Sequence, residues 1–172
     1  ETVDEVRHCA VKLRTHPLKG EYYERVVETG EYPSEKSKKY LSERHKNHIF
    51  IMGIESEPAA NRVGELIDCA DIDGVFIGPN DMTTSLGIPD ESGNPIYLDT
   101  LSKIIAEADK RGIPTMIHQQ TIDTSAKAIE LGARFIMHSS DAGILLRGTQ
   151  EEFAELRKIT SKKYGVVDEV EA

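Results

Sequence analysis

Short apolar runs alternate with amphipathic segments along most of the chain, and this alternation predicts the order of its secondary structure. The apolar runs at residues 48–55, 72–77, 113–118 and 134–138 have the length and composition of buried strands. A segment with helical signals follows each run. Strict alternation of strand and helix predicts an α/β fold whose parallel strands are joined by right-handed crossovers.

Helical periodicity and capping signals define the segments between the strands. Asp123 is the expected N-cap of one helix, and Thr149 with Glu152 three residues later has the spacing of a capping box. We predict helices at residues 1–14, 58–70, 98–111, 124–131 and 149–163, with short helical turns at residues 83–86 and 142–147.

Two segments depart from this alternation. Residues 21–47 are polar and contain Gly30 and Pro33, so we predict a surface excursion with short helices. Residues 164–172 are expected to be a frayed tail. The whole chain, residues 1–172, is therefore predicted to form a single domain that is only part of a larger fold.

Composition narrows the class of protein. The chain has 172 residues and a formal net charge of -9, which argues against a nucleic-acid surface, since such surfaces concentrate Lys and Arg. No apolar run approaches the length of a membrane helix, so no membrane partner is expected. Cys9 and Cys69 lie far apart in amphipathic patterns and are predicted to be buried free thiols, which favours a cytoplasmic location.

Acidic residues follow two successive predicted strands. Glu55 ends the first strand, and Asp81 follows the second in the segment Gly-Pro-Asn-Asp that begins at Gly78. Either acid alone is explained by a position in the first turn of a helix, where the helix dipole favours it. At neighbouring strand ends, however, the two carboxylates together predict a site for Mg²⁺ or Mn²⁺.

The turn between Gly78 and Asp81 is a second candidate feature of the same site. Backbone N–H groups around Gly78, Asn80 and Asp81 precede a helical turn and suit an anion such as a substrate carboxylate. The alternative is that Gly78 and Pro79 only make a sharp turn. A metal beside an anion-binding turn would fit a small 2-oxo acid as the substrate.

Two histidines end the remaining strands. His118 and His138 are more often explained as hydrogen-bonded structural residues than as catalytic ones. The sequence does not decide which face of the sheet His138 occupies. His118, followed by Gln119 and Gln120, could line a cleft and is the one candidate catalytic residue in this chain.

At these residues the chain resembles the metal-dependent (class II) pyruvate aldolases of the phosphoenolpyruvate/pyruvate barrel superfamily, such as the hydroxy-oxo-heptanedioate and keto-deoxy-glucarate aldolases. The resemblance implies that Glu55 and Asp81 hold a divalent ion, with Co²⁺ a further candidate, and that the backbone at Asn80 binds pyruvate. The segments that carry the resemblance are residues 53–56, 73–81 and 85–87, the turn at 16–20, and residues 132–135 with Asp141.

The resemblance also implies how much of the family's barrel is present. The chain corresponds to strands five to eight, the C-terminal half of a TIM-type (β/α)8 barrel. The family's catalytic His and Arg come from the other half. In addition, Gly53 stands where the family usually has a substrate-binding Gln, and His118 stands where it usually has a small apolar residue.

The implied activity is that of a carbon–carbon lyase, which cleaves or forms 2-oxo acids through a pyruvate enolate. Gly53, Gly78, Asn80 and Asp81 are the expected substrate-binding positions. A half-barrel exposes sheet edges, so we expect a homo-oligomer or completion by another half-barrel segment. The alternatives are an acyl-CoA ester lyase of the same superfamily and a non-catalytic remnant that only binds a ligand or partner.

Overall fold

The computed structural model describes residues 1–165, and within them a single four-stranded sheet has the order β1-β2-β3-β4. All neighbouring strands are parallel, so the predicted α/β class is confirmed. Each strand is shorter than the apolar run that predicted it. The strands are β1 (Ile51–Gly53), β2 (Gly74–Ile77), β3 (Thr115–Gln119) and β4 (Phe135–His138).

Helices surround the sheet and connect its strands. A group of three helices precedes β1, two short helices follow β1, and a long helix follows β4. The described helices are α1 (Val3–Thr15), α2 (Gly20–Thr29), α3 (Glu35–His45), α4 (Glu57–Asn61), α5 (Val63–Asp68), α6 (Pro79–Ser85), α7 (Pro95–Asp109), α8 (Ile122–Glu130) and α9 (Asp141–Tyr164).

Several predicted helix boundaries were wrong. The helix expected at residues 58–70 is interrupted at Arg62, whose φ of -120° and ψ of 12° are not helical. Thr121, rather than Asp123, caps α8. Thr149 lies inside the continuous helix α9, which Ser140 caps, so the predicted capping box does not start a helix. Capping residues in the sequence indicated where helices could begin. The conformation of the neighbouring turns decided which of these residues begin a helix.

The segment at residues 21–47 contains the short helices predicted for it, α2, which begins one residue earlier at Gly20, and α3. α2 and α3 both contact α1, and Val26 and Leu41 are buried at these contacts. The excursion is therefore anchored to the domain although most of its side chains are exposed. The predicted frayed tail overlaps α9 at Tyr164, and its residues 166–172 lie outside the described part of the chain.

The prediction of two buried thiols was wrong. Cys9 is exposed on α1, and Cys69 is only half-buried. Burial is nevertheless the largest influence on Cys69, where it raises the pKa of the thiol. Both cysteines are free, as expected. No helix within residues 1–165 combines the length and apolar character needed to cross a membrane.

The two faces of the sheet differ in how they are covered. One face carries Val75, Ile77 and Ile117, which are fully buried in a core shared with α5 and α7. On the other face, the register aligns Gly53 with Phe76 and Phe76 with Met116. We call this second face the open face, and define it by Ile51, Phe76, Met116, Phe135 and Met137.

The open face is apolar yet accessible. Ile51, Phe135 and Met137 are 43%, 53% and 47% exposed. Helix α9 likewise has no buried residue, and its Phe153 and Leu156 are each 55% exposed. Several large apolar side chains of the open face and of α9 are thus accessible in the described part of the chain.

Candidate metal and substrate site

The carboxyl ends of β1 and β2 form one side of an open cavity of about 320 Å³. Glu55 follows β1 by two residues, and a hydrogen bond of 2.8 Å from the Ile54 N–H to the Phe76 carbonyl extends the pairing of the two strands. Asp81 lies in the first turn of α6, directly after β2. The cavity lining includes Gly53, Glu55, Ser56 and Asp81, together with Glu1. The fold thus brings the two predicted acids to one cavity.

Gly78 leaves the space that the Glu55 carboxylate occupies. A Cβ atom at position 78 would lie 2.9 Å from Glu55 Oε1 and 3.4 Å from Glu55 Cδ. Gly78 has φ -88° and ψ 114°, which other residues adopt readily, so space rather than backbone conformation favours glycine there. At Gly53 a Cβ would lie 3.7 Å from Glu55 Cδ, an ordinary contact. Of these two glycines, only Gly78 is required by the position of Glu55.

Serine hydroxyls hold the two strand ends in place. Ser56 caps α4 by accepting a hydrogen bond of 3.3 Å from the Ala59 N–H. Ser85, at the end of α6, accepts one of 2.9 Å from the Glu57 N–H. This second bond joins the segment after β1 to the helix after β2. Sequence reasoning missed both positioning residues, although Ser56 two residues before Pro58 is a recognisable helix-start signal.

Helix α6 begins at Pro79, four residues earlier than the predicted turn at residues 83–86. Its first bond runs from the Met82 N–H to the Gly78 carbonyl. The N–H groups of Asn80 and Asp81 consequently have no hydrogen-bond partner within residues 1–165. Free N–H groups in a first helical turn carry partial positive charge and suit a carboxylate.

The two strand-end histidines face opposite sides of the sheet. Pairing of Ile77 with Ile117 places His118 beside Gly78, on the same face as the Glu55 carboxylate. His138 pairs with Gln119, which is buried on the opposite face. Its Nδ1 lies 2.8 Å from Ser125 Oγ. The open question about His138 is therefore answered, since this histidine is turned away from the site.

Within the described residues, no group of three or more His, Cys, Asp or Glu side chains is close enough to hold a metal ion. The site contains two candidate carboxylate ligands, and no third protein ligand from residues 1–165 joins them. This number suits a hard cation such as Mg²⁺, which commonly takes one or two carboxylates and fills its other positions with water or substrate.

Fold and cavity together define a parallel α/β protein with its polar groups at the carboxyl ends of the strands, the arrangement of barrel and open-sheet enzymes. Residues 4–147 match the HpcH/HpaI aldolase/citrate lyase family, and the chain belongs to this family. It is 30% identical over 112 residues to 5-keto-4-deoxy-D-glucarate aldolase of Salmonella arizonae. The same identity and length hold for that aldolase of Klebsiella pneumoniae. Each match covers 65% of this chain and 44% of the relative.

Solved structures give the same picture of the fold. A family protein from Burkholderia cenocepacia aligns with a TM-score of 0.74 at 24% identity, covering 91% of this chain and 62% of that protein. An aldolase from Desulfitobacterium hafniense aligns with a TM-score of 0.68 at 20% identity, covering 90% and 60%. This chain therefore covers about 60% of the length of these two structures, and its matched part spans less than half the length of its curated relatives.

Proposed function

We propose that this chain forms the metal- and pyruvate-binding part of a divalent-metal-dependent carbon–carbon lyase. The reaction is the retro-aldol cleavage of a 2-oxo acid, or the reverse aldol addition, through a pyruvate enolate. The observation that carries the proposal is the cavity shared by Glu55 and Asp81, with Gly78 leaving room for the Glu55 carboxylate. Membership of the aldolase/citrate lyase family supports the reaction class.

The residues of the cavity fit a hard divalent cation. Glu55 and Asp81 would hold Mg²⁺, Mn²⁺ or Co²⁺ through carboxylate oxygens. When bound, such an ion would act as a Lewis acid that polarises the 2-oxo group. This polarisation favours cleavage of the carbon–carbon bond, because the electron pair of that bond can pass into an enolate. The free N–H groups of Asn80 and Asp81 would bind and orient the pyruvate carboxylate.

We propose that the four strands are strands five to eight of the barrel and that the open face packs against the strands that complete it. Those strands would belong to a further segment or to a partner chain. The exposed apolar side chains of Phe135 and Met137 support this arrangement, because a barrel interior is filled by such side chains. The missing strands would also carry the family's further catalytic groups.

Gly78→Ala is expected to weaken Mn²⁺ binding by about tenfold, a loss of about 1.4 kcal/mol. The new methyl group would fall 2.9 Å from Glu55 Oε1 and displace that carboxylate. Gly53→Ala is the matched control, because its methyl group would lie 3.7 Å from Glu55 Cδ. Isothermal titration with MnCl₂ measures both variants. Equal affinities in the two variants would argue against the proposed role of Gly78.

The proposed function is tested by titrating Mn²⁺ into the full chain and following water proton relaxation. Pyruvate is expected to increase the affinity for Mn²⁺, because the ion and the α6 N–H groups would share one ligand. The same sample in D₂O should exchange the methyl protons of pyruvate if enolate forms. Absence of Mn²⁺ binding would contradict the proposed function. A response to a CoA ester but not to pyruvate would instead indicate the acyl-CoA ester lyase.

A further inference from the structure

We propose that His45 and His48 form a pH-sensitive clasp, which holds helix α3 against α1 at neutral pH and releases it at acidic pH. Neither histidine lines the cavity of Glu55 and Asp81, so the inference is independent of the proposed function. Three features carry it: the hydrogen bonds of the two rings, the charges around them, and the small number of side chains that anchor α3.

The hydrogen bonds of His45 fix the position of its ring proton. Its Nε2 lies 2.6 Å from the His16 carbonyl oxygen, which can only accept a hydrogen bond, so the Nε2–H group is the donor. The neutral ring therefore has a lone pair on Nδ1. This nitrogen lies 3.1 Å from Nδ1 of His48. His45 is 7% exposed, so the ring has little water to turn to instead.

His48 supplies the proton that this contact needs. Its Nδ1 also lies 3.2 Å from the Leu13 carbonyl oxygen, a second group that can only accept a hydrogen bond. Both neighbours of this nitrogen are acceptors, so His48 Nδ1 carries a proton and donates it to them. The contact between the two histidines thus holds one proton between two nitrogens.

Acidic pH removes the acceptor from this contact. Imidazole ordinarily gains its second proton between about pH 8 and about pH 5. A proton on His45 Nδ1 would turn two N–H donors toward each other across 3.1 Å. His48 can take its second proton on Nε2 without losing the contact, so His45 is the ring that decides whether the clasp holds.

The surroundings of the pair favour release rather than protonation in place. The described residues that line a cavity of about 430 Å³ beside the rings are Lys12, Leu13, His16, Arg44, His45 and His48. None of them is acidic, so no carboxylate in this lining compensates a new positive charge. Glu43 of α3 pairs with Lys46 at 3.3 Å. Since the docked form binds fewer protons at His45 than the released form, docking is lost as the pH falls.

Few side chains anchor α3 to the domain. The helix has 11 residues, and Leu41 and His45 are its two buried ones. His45 joins the end of α3 to the turn after α1 through the His16 carbonyl, and His48 joins it to the end of α1 through Leu13. Loss of the histidine contact would leave Leu41 as the principal anchor. We therefore expect α3 to leave α1 at acidic pH while the core around α7 stays folded.

Amide hydrogen exchange of the full chain at about pH 7.5 and about pH 5.5 measures the release. Protection factors are compared, because they correct for the intrinsic effect of pH on exchange. We expect those of α3 to fall at least about tenfold at the lower pH, the change that one differentially bound proton produces per pH unit. Those of α7 should change less than about threefold. Unchanged protection of α3, or an equal fall in both helices, would overturn the inference.

His48→Asn separates the clasp from a general effect of acid. The asparagine amide can donate to the neutral His45 Nδ1 and, when turned, can accept from the protonated one. We therefore expect α3 to keep the same protection at both pH values in this variant. His8→Asn is the matched control. His8 Nδ1 lies 3.1 Å from the Tyr23 hydroxyl, which can donate or accept, so the fall in protection should remain. A fall that persists in His48→Asn, or disappears in His8→Asn, would contradict the clasp.

Long-range ¹H–¹⁵N spectra of the histidines test the starting arrangement directly. At about pH 7.5 we expect a proton on Nε2 but not on Nδ1 of His45, and a proton on Nδ1 of His48. A proton on His45 Nδ1 at this pH, with α3 still protected, would overturn the inference. Binding of Mn²⁺ is measured separately, and its absence would contradict the proposed function while leaving the clasp standing.

Discussion

Glu55→Gln and Asp81→Asn are each expected to weaken Mn²⁺ binding by more than about 100-fold, beyond the 10–100-fold typical of residues that only support a ligand. Each substitution removes a negative charge and a hard oxygen donor from a site that offers two carboxylates among the described residues. Because the shapes of the side chains are kept, the cavity between β1 and β2 should remain. Titration of each variant with MnCl₂ measures the effect.

The matched control for this pair is Glu57→Gln. Glu57 is an exposed acid in the first turn of α4, two residues from Glu55, and it does not line the cavity. Its loss should leave Mn²⁺ affinity unchanged. If Glu55 and Asp81 only interacted favourably with the dipoles of the helices that follow them, each variant would lose about 0.3–1 kcal/mol of free energy of unfolding and would keep its metal affinity. Urea unfolding of the same three variants distinguishes these explanations.

Ile104→Ala is expected to destabilise the domain by about 2–5 kcal/mol, the range for truncating a buried aliphatic side chain. Ile104 is fully buried on α7, between the sheet and α5. The substitution would leave a cavity at the centre of the covered face, where Leu101 and Ile105 are also nearly inaccessible. The free energy of unfolding in urea, compared with that of the unaltered chain, measures the loss.

Ile96→Ala on the same helix is the control for this experiment. Ile96 is 53% exposed, so the same chemical change removes little buried surface there. We expect a change within about 0.5 kcal/mol, as for most surface substitutions. A similar loss in both variants would mean that α7 contributes through helix stability rather than through its buried face.

The alternation of apolar and amphipathic segments was sufficient to predict the four strands, their parallel order and their connecting helices. This worked because a strand covered by helices needs a continuous apolar run, and the runs before Glu55 and Asp81 are unambiguous. The position of both acids at strand ends followed from the same pattern. Their shared cavity is consistent with that prediction, while their role as metal ligands remains a proposal.

Other features depended on contacts between distant segments. The break at Arg62 and the continuous helix through Thr149 could not be read from local signals, since capping residues also occur where no helix begins. Cys9 sits in an amphipathic pattern, yet no described segment covers it. The burial of a half-apolar helix depends on what packs against it, and this information is not local.

By itself, the sequence determined the α/β class, the order of the strands and the chemistry available at their ends, because these depend on residue type and periodicity. Only the tertiary structure decided which groups meet. Strand register placed His118 on the open face, where its ring contacts the Ser139 carbonyl, and His138 on the opposite face beside Ser125, although both residues end a strand. The close approach of the Glu55 carboxylate to Gly78 likewise required two strands to pair, because residues far apart in sequence become neighbours only through that pairing.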